Sequence, residues 1–166
     1  MNSVKQKGFT IVEIFVVIAV IGILAAIAIP VYANYSDRAR ISEALLWVSK
    51  CKLEVSEAIG SSNMHTITDA LTETCNELGT DPSAVVESTQ VDVATGVIMV
   101  TVDHDDFSTA TATSNQFWMR PLINGVPVDP VNDVGEAITS WQCGPSPAGN
   151  NPIPFSILPN SCQALL

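Results

Sequence analysis

Positive charge is scarce in this chain. Seven lysines and arginines stand against seventeen aspartates and glutamates, a formal net charge of −10, and charged residues of both signs make up only 14%. Ordinary soluble domains carry about 25%. Binding nucleic acid through a basic footprint is therefore excluded, because that mechanism neutralises phosphates with clustered lysine and arginine. Histidine is scarcer still: His65 and His104 lie far apart without ligand-like spacing and read as surface or turn residues. The four cysteines, Cys51, Cys75, Cys143 and Cys162, include no close C-x-x-C pair of the kind zinc sites use. Serines are present, but none lies in a recognisable nucleophile motif. Asp103, Asp105 and Asp106 cluster locally and offer oxygens that suit calcium, although a turn between two strands explains them as well. No catalytic residue, resident metal or cofactor is expected, and the chain does not read as an enzyme. What it does not lack is hydrophobicity, at 47% of 166 residues with a positive mean hydropathy. That excludes disorder for most of the chain. Strong acidity and positive hydropathy must then occupy different places.

The hydrophobicity sits at the start. Residues 14–33 read IFVVIAVIGILAAIAIPVYA, twenty positions without a charge or a strongly polar side chain. At about 1.5 Å per residue, such a helix matches the roughly 30 Å hydrocarbon core of a bilayer. A core helix apolar on every face is too long for a domain of this size. A cleaved secretory signal is disfavoured by the length of the run and by Glu13 just ahead of it. Lys5 and Lys7 precede the span and keep the N-terminus cytoplasmic, while Arg38 and Arg40 argue weakly the other way. The even cysteine count supports the first orientation, since it reads as a disulfide framework outside the cytoplasm. Glu13 needs explaining, because a carboxylate well inside hydrocarbon costs about 2.5–3.5 kcal/mol unless paired or neutralised. Pro30 predicts a kink or a broken turn, with backbone freedom added by Gly22.

Helical periodicity continues past the span. Ile41, Ala44, Val48, Cys51, Val55 and Ala58 recur every three or four residues, and Gly60 is a plausible stop. One helix over residues 9–59 would be about 75 Å long. A second helix is expected from Thr66, where Thr66 and Asp69 form a capping-box-like start. Its face holds Ile67, Leu71, Cys75 and Leu78, and Gly79 and Pro82 close it. Cys51 and Cys75 then each lie on a buried helix face, which suits their pairing. After Pro82 the pattern turns to β: residues 88–93, 97–103, 116–123 and 137–143 are rich in Val, Ile, Thr and aromatics. Ala94-Thr95-Gly96 reads as a tight hairpin, and Pro121 places the third strand at an edge if it is a strand at all. The tail, residues 144–166, holds five prolines and reads as a loop bracketed by Cys143 and Cys162. A bridge across it would contribute about 3 kcal/mol. Four cysteines allow three connectivities.

Two segments carry a family resemblance. Lys7-Gly8-Phe9-Thr10-Ile11-Val12-Glu13, running into the apolar helix, resembles the class III signal of type IV pilins and pseudopilins. Trp141-Gln142-Cys143, followed by Leu158-Pro159-Asn160-Ser161-Cys162, is similar to the closing disulfide loop of type IVa pilins. The resemblance implies an α+β fold, with a long N-terminal helix whose hydrophobic half protrudes. Its amphipathic half would pack on a four-stranded antiparallel sheet, ahead of a disulfide-closed C-terminal loop. It divides the chain into a leader (1–8), a membrane and fibre-core helix half (9–35) and an extracytoplasmic head (36–166). It implies cleavage between Gly8 and Phe9 by a prepilin peptidase, and N-methylation of Phe9. Glu13 would neutralise the new amine of a neighbouring subunit, although Phe9 and Glu13 could also pair within one helix. Gly22 and Pro30 stand where the family softens its helix. Cys143 pairs with Cys162 on this reading, while Cys51 and Cys75, left to each other, lie outside the general pattern.

The function implied is that of a major type IVa pilin, a structural subunit whose fibres serve adhesion, twitching motility and DNA uptake. Its partners would be further copies in a helical homopolymer, the peptidase, the inner-membrane pilus assembly machinery, and the lipid bilayer before assembly. It would sit in the inner membrane, head outside, and then in an extracellular pilus. Arg38, Arg40, Lys50 and Lys52 would contact anionic headgroups or acidic neighbours in the fibre. A type II secretion pseudopilin and a minor pilin are the near alternatives. A monomeric single-pass binding domain, with no cleavage at Gly8, is the distant one. Loss of the leader leaves 5 basic and 17 acidic groups, a net of −12, nearly all beyond residue 33.

Overall fold

A helix of 50 residues, α1 (Ile11–Gly60), opens the structure, a computed structural model that describes residues 8–61, 71, 75, 85–129, 132–147 and 150–165. The chain divides into two compact units, Met1–Ala33 and Asn34–Leu166. In the first, α1 is apolar on all sides, and Phe15, Val17, Ile18, Ile21 and Leu24 are all exposed. The helix is long and apolar enough to cross a bilayer. It runs unbroken through Pro30, so the broken turn expected there is absent. The ring removes one helical hydrogen bond, to the carbonyl of Ala26, without ending the element.

In the second unit α1 becomes one-sided. Asp37, Ile41, Ala44, Val48, Cys51, Val55, Ala58 and Ile59 are buried, spaced to fall on one stripe. Each large aliphatic among them contributes about 1.5–3 kcal/mol by leaving water. Gly135 N–H closes the helix end by donating to the Ile59 carbonyl at 2.8 Å.

The stripe shares one core with an antiparallel sheet of five strands: β1 (Val86–Val91), β2 (Ile98–Val102), β3 (Gln116–Ile123), β4 (Val126–Pro127) and β5 (Ser140–Pro145). β1 pairs with β2, β2 with β3, and β3 with both β4 and β5. The register puts Ile98 opposite Met119 and Val100 opposite Phe117, and Phe117 and Met119 in turn face Pro145 and Cys143. All six are on the core face. The four expected strands are there, β3 with the bounds expected and the other three with shifted ends, and β4 is additional. It follows Asn124-Gly125, whose φ values of 53° and 82° are those of a type I′ hairpin turn.

β3 is flanked on both sides, so Pro121 does not mark a sheet edge. In an extended strand the nitrogen and carbonyl of one residue point the same way. The Pro121 carbonyl accepts from Val128 N–H at 3.2 Å, so the ring nitrogen faces the side shared by β2 and β4. There, pairing with β2 ends at Met119 and pairing with β4 begins at Leu122. The missing donor falls in that gap. Pro145 is accommodated in a similar way. Ser146 N–H donates to the Gln116 carbonyl at 3.1 Å, which makes Phe117 and Pro145 a non-hydrogen-bonded pair and lets β5 continue through the proline.

The tail is more ordered than its prolines suggested. The Gln116 carbonyl also accepts from Ile153 N–H at 2.9 Å, and Gln116 bridges Pro152 in parallel. Ile153, Ile157 and Leu158 are fully buried. A short 3-10 turn, Asn160–Cys162, delivers Cys162 to Cys143 with 4.5 Å between the Cα atoms. Beyond it, Ala164 N–H donates to the Cys143 carbonyl at 3.0 Å. A Cβ on Gly144 would collide with the Ala164 carbonyl, so this close approach requires glycine. Trp118, on the outer sheet face, is buried nonetheless, beneath this crossing and the Arg120 guanidinium 5.2 Å from its ring centroid.

One carboxylate ties α1 to the head. Asp37 is buried and accepts from Ser108 N–H at 3.0 Å and Thr109 N–H at 2.9 Å. We expect Asp37→Ala to destabilise the head by about 1–3 kcal/mol, since it orphans two buried donors. Thermal unfolding of the detergent-solubilised chain, followed by near-ultraviolet circular dichroism, checks this as a lowered Tm.

Candidate functional site at the start of the long helix

Gly8, Phe9 and Thr10 precede α1 and are not helical. The helix was expected from Phe9, and it begins two residues later because Thr10 caps it. Thr10 Oγ1 accepts from Glu13 N–H at 3.3 Å, and the Thr10 carbonyl accepts from Glu13 and Ile14 N–H at 3.2 and 3.4 Å. Thr10-Ile11-Val12-Glu13 thus has the T-x-x-E spacing of a capping box, with Glu13 at the third helical position. The T-x-x-E spacing is itself a sufficient sequence signal for this cap.

This cap has chemical consequences. The Gly8–Phe9 peptide lies in exposed, non-helical backbone, and nothing comes within 4 Å of where a Gly8 Cβ would stand. The peptide therefore lies outside the hydrogen-bonded turns of α1. Cutting there would leave an α-ammonium beside a helix N-terminus, where the macrodipole already concentrates positive charge. Glu13, in the first turn, supplies the opposite charge at that pole. Because Phe9 lies outside the helix, the helical i,i+4 pairing considered for Phe9 and Glu13 does not apply to this uncut chain.

Gly22 lies on the exposed apolar stretch, with nothing within 4 Å of a Cβ built on it, so packing inside the chain does not require glycine there. Lys5, Lys7 and His65 lie outside the described residues. So does the second helix expected from Thr66, except for Leu71, helical and buried, and Cys75. Cys75 is bonded to Cys51, with 5.2 Å between Cα atoms, but it sits in a turn at φ 63° rather than on a helix face. Its N–H donates to Glu54 Oε2 at 2.8 Å.

Three basic residues of α1 have partners within the head. Arg38 Nε donates to the Ser156 carbonyl at 2.8 Å, and Arg40 Nη1 lies 3.1 Å from Asp106 Oδ1. Lys52 Nζ stands 5.4 Å from the Trp141 ring centroid, and its burial pushes the ammonium below the ordinary lysine range. The aspartate cluster is likewise engaged locally. Asp103 caps a 3-10 turn (His104–Asp106) by accepting from Asp105 N–H at 3.1 Å, Asp105 lies 3.5 Å from His104 Nε2, and Asp106 pairs with Arg40. Among the described residues, no three His, Cys, Asp or Glu side chains are arranged to hold a metal ion.

A helix apolar all round, entering a disulfide-closed α+β head, defines a class of filament subunit. The pilin family, described as bacterial filament proteins, matches residues 38–163, and the prokaryotic N-terminal methylation motif matches residues 4–29. The chain belongs to the pilin family. It is 51% identical over 57 residues to the type IV major pilin protein of Neisseria gonorrhoeae, covering 34% of each chain. To the fimbrial protein of Moraxella nonliquefaciens it is 53% identical over 56 residues, covering 34% of this chain and 35% of that one. These matches thus span about a third of the relatives' length. In fold it is similar to a type IV pilin of Pseudomonas aeruginosa strain Pa110594, with a TM-score of 0.58 at 24% identity, covering 77% of this chain and 98% of that one.

Thr10→Ala removes the side-chain cap but keeps Glu13. We expect it to weaken the first turn by about 1 kcal/mol, read as roughly fivefold faster amide hydrogen exchange at Glu13 in micelles.

Proposed function

We propose that this chain is the major subunit of a type IV pilus. The observation that carries the proposal is a helix start capped by Thr10, bearing Glu13 in its first turn and running into an exposed stretch that is apolar on every face. Such a surface is stable only in lipid or among other copies of itself. In this reading residues 1–8 stay cytoplasmic as a leader, a prepilin peptidase cuts the exposed Gly8–Phe9 bond, and Phe9 is N-methylated. The subunit then waits in the inner membrane with residues 36–166 outside.

Assembly exchanges lipid for neighbouring helices, so residues 9–35 become the fibre core and the heads coat it. Glu13 of one copy neutralises the Phe9 amine of the next, which rewards a single axial register, because an unpaired charge in that core would be expelled. Gly22 and Pro30 mark where the helix loosens as it leaves the bilayer. The inner-membrane assembly machinery supplies the work, and the extracellular fibre supports adhesion, twitching motility and DNA uptake. The presence of Glu13, and the likeness to proteins named major pilins, favour the main subunit over a tip-initiating one.

Mass spectrometry of sheared surface filaments should show this chain starting at methylated Phe9, and an intact leader there would contradict the proposal. Glu13→Ala should still insert into membranes but give few or no filaments, since an uncompensated buried charge costs about 3–5 kcal/mol at each contact. Normal piliation by that variant would sink the assigned role.

A further inference from the structure

Beyond Lys52 the chain has one basic residue, Arg120, against fourteen acidic ones. A lone cation in such company has many carboxylates to choose from, yet among the described residues none pairs with it. It lies on the outer face of β3, with its guanidinium over the buried Trp118 ring and Nη2 donating to Gln142 Oε1 at 2.6 Å. Stacking and that bond together fix the plane of the group. A guanidinium carries five N–H donors. Apart from Nη2 they meet no protein acceptor, and Nε is buried without a partner. Burying a donor unpaired is costly, and a carboxylate is the acceptor whose geometry matches the guanidinium fork. The chain itself supplies none.

Arg120 lines a pocket of about 590 Å³ on the same outer face. The register explains its floor. Ile98 and Val100 are buried in the core, so Met99 and Thr101 point outward, paired with Gln90 and Gln116 respectively. Asp92 lines the pocket too, but its carboxylate accepts from Ala94 N–H at 2.9 Å and Thr95 Oγ1 at 2.7 Å within its own turn. Arg120 is thus the charge in the pocket without a match. Gln116 Nε2 donates to Thr101 Oγ1 at 3.2 Å, which leaves the Thr101 hydrogen to donate elsewhere. Amides and hydroxyls both donate and accept, as the hydroxyls of a sugar do, and Met99 offers apolar surface for a C–H face. The volume is that of a small-molecule site, with a few polar groups to fix orientation.

We infer that this pocket binds a carboxylate-bearing sugar of the hexuronate class. Its carboxylate lies on Arg120, and its hydroxyls meet the Gln90, Thr101 and Gln116 side chains. The inference concerns the outer face of the sheet alone and does not depend on the assembly reading.

The test is a titration of the full-length chain in detergent micelles, labelled with nitrogen-15 arginine and followed by NMR. Three side-chain Nε signals result, one each from Arg38, Arg40 and Arg120. Either D-galacturonate or D-glucuronate, at constant ionic strength, should move the Arg120 signal saturably and leave the other two in place. The neutral parents D-galactose and D-glucose, and acetate, which lacks hydroxyls, should each bind about tenfold more weakly. No movement with either uronate, or equal movement at all three arginines, overturns the inference. A neutral sugar binding as tightly as the uronate removes the carboxylate's role and overturns it as well. Acetate or N-acetylglutamate amide binding as tightly assigns the pocket to a simple or a peptide carboxylate instead. Gln90→Ala, at an exposed position, should weaken the uronate roughly fivefold while leaving acetate unchanged. Unaltered uronate affinity in that variant overturns the hydroxyl contact.

Discussion

Everything in this structure depends on one continuous helix that must satisfy two different surroundings. Over residues 14–33, α1 offers only apolar side chains, which no part of a chain this size can cover on every side. From Asp37 onward the same helix is amphipathic, and its buried stripe is the floor on which the sheet is laid. A helix can change character along its length in this way because its backbone hydrogen bonds are internal. Composition is then free to follow the surroundings. The acidic charge sits almost entirely beyond residue 33, which resolves the paradox of an acidic chain with positive mean hydropathy.

The head is organised around the start of β3. The Gln116 carbonyl receives two tail amides, from Ser146 and Ile153, while the Asn151 carbonyl receives Asn115 and Gln116 N–H at 3.0 and 2.8 Å. These bonds draw the proline-rich tail alongside the sheet, where Ile153, Ile157 and Leu158 complete the core. The Cys143–Cys162 bridge and the Gly144–Ala164 crossing lock the tail there. Arg38 reaches the same tail at Ser156, and Asp37 holds the Ser108–Thr109 backbone, so α1 is fastened to the head by directional polar bonds as well as by burial.

Several elements were readable because their cause is local. Residues 116–123 form β3 to the residue, and the stripe from Ile41 to Ala58 is the buried one, since side-chain alternation and the helical repeat follow directly from backbone geometry. The β4 hairpin is also written locally, in Asn124-Gly125, although only two residues of strand follow it. Pro121 misled for a clear reason. Proline forbids a donor, but whether a donor is needed depends on how far β2 and β4 reach along β3. The tail misled similarly, because five prolines forbid regular ladders without forbidding single hydrogen bonds and buried side chains.

The candidate site divides along the same line. Gly8, Phe9, Thr10 and Glu13 lie within six residues, so their order alone specifies a cap, an accessible peptide and a carboxylate in the first helical turn. The apolar run, the cysteine count and the acidic balance are equally properties of the linear chain. The destinations of Asp37, Arg38 and Arg40 are not. Each pairs with a group about 65 to 120 positions away, so only folding decides that these charges fasten the head. By itself, the sequence determined where this protein is greasy, where it is acidic and where its helix begins, because those depend on near neighbours. Tertiary structure decided which polar groups are spent inside the head and which surfaces remain exposed, because burial depends on what the rest of the chain brings alongside.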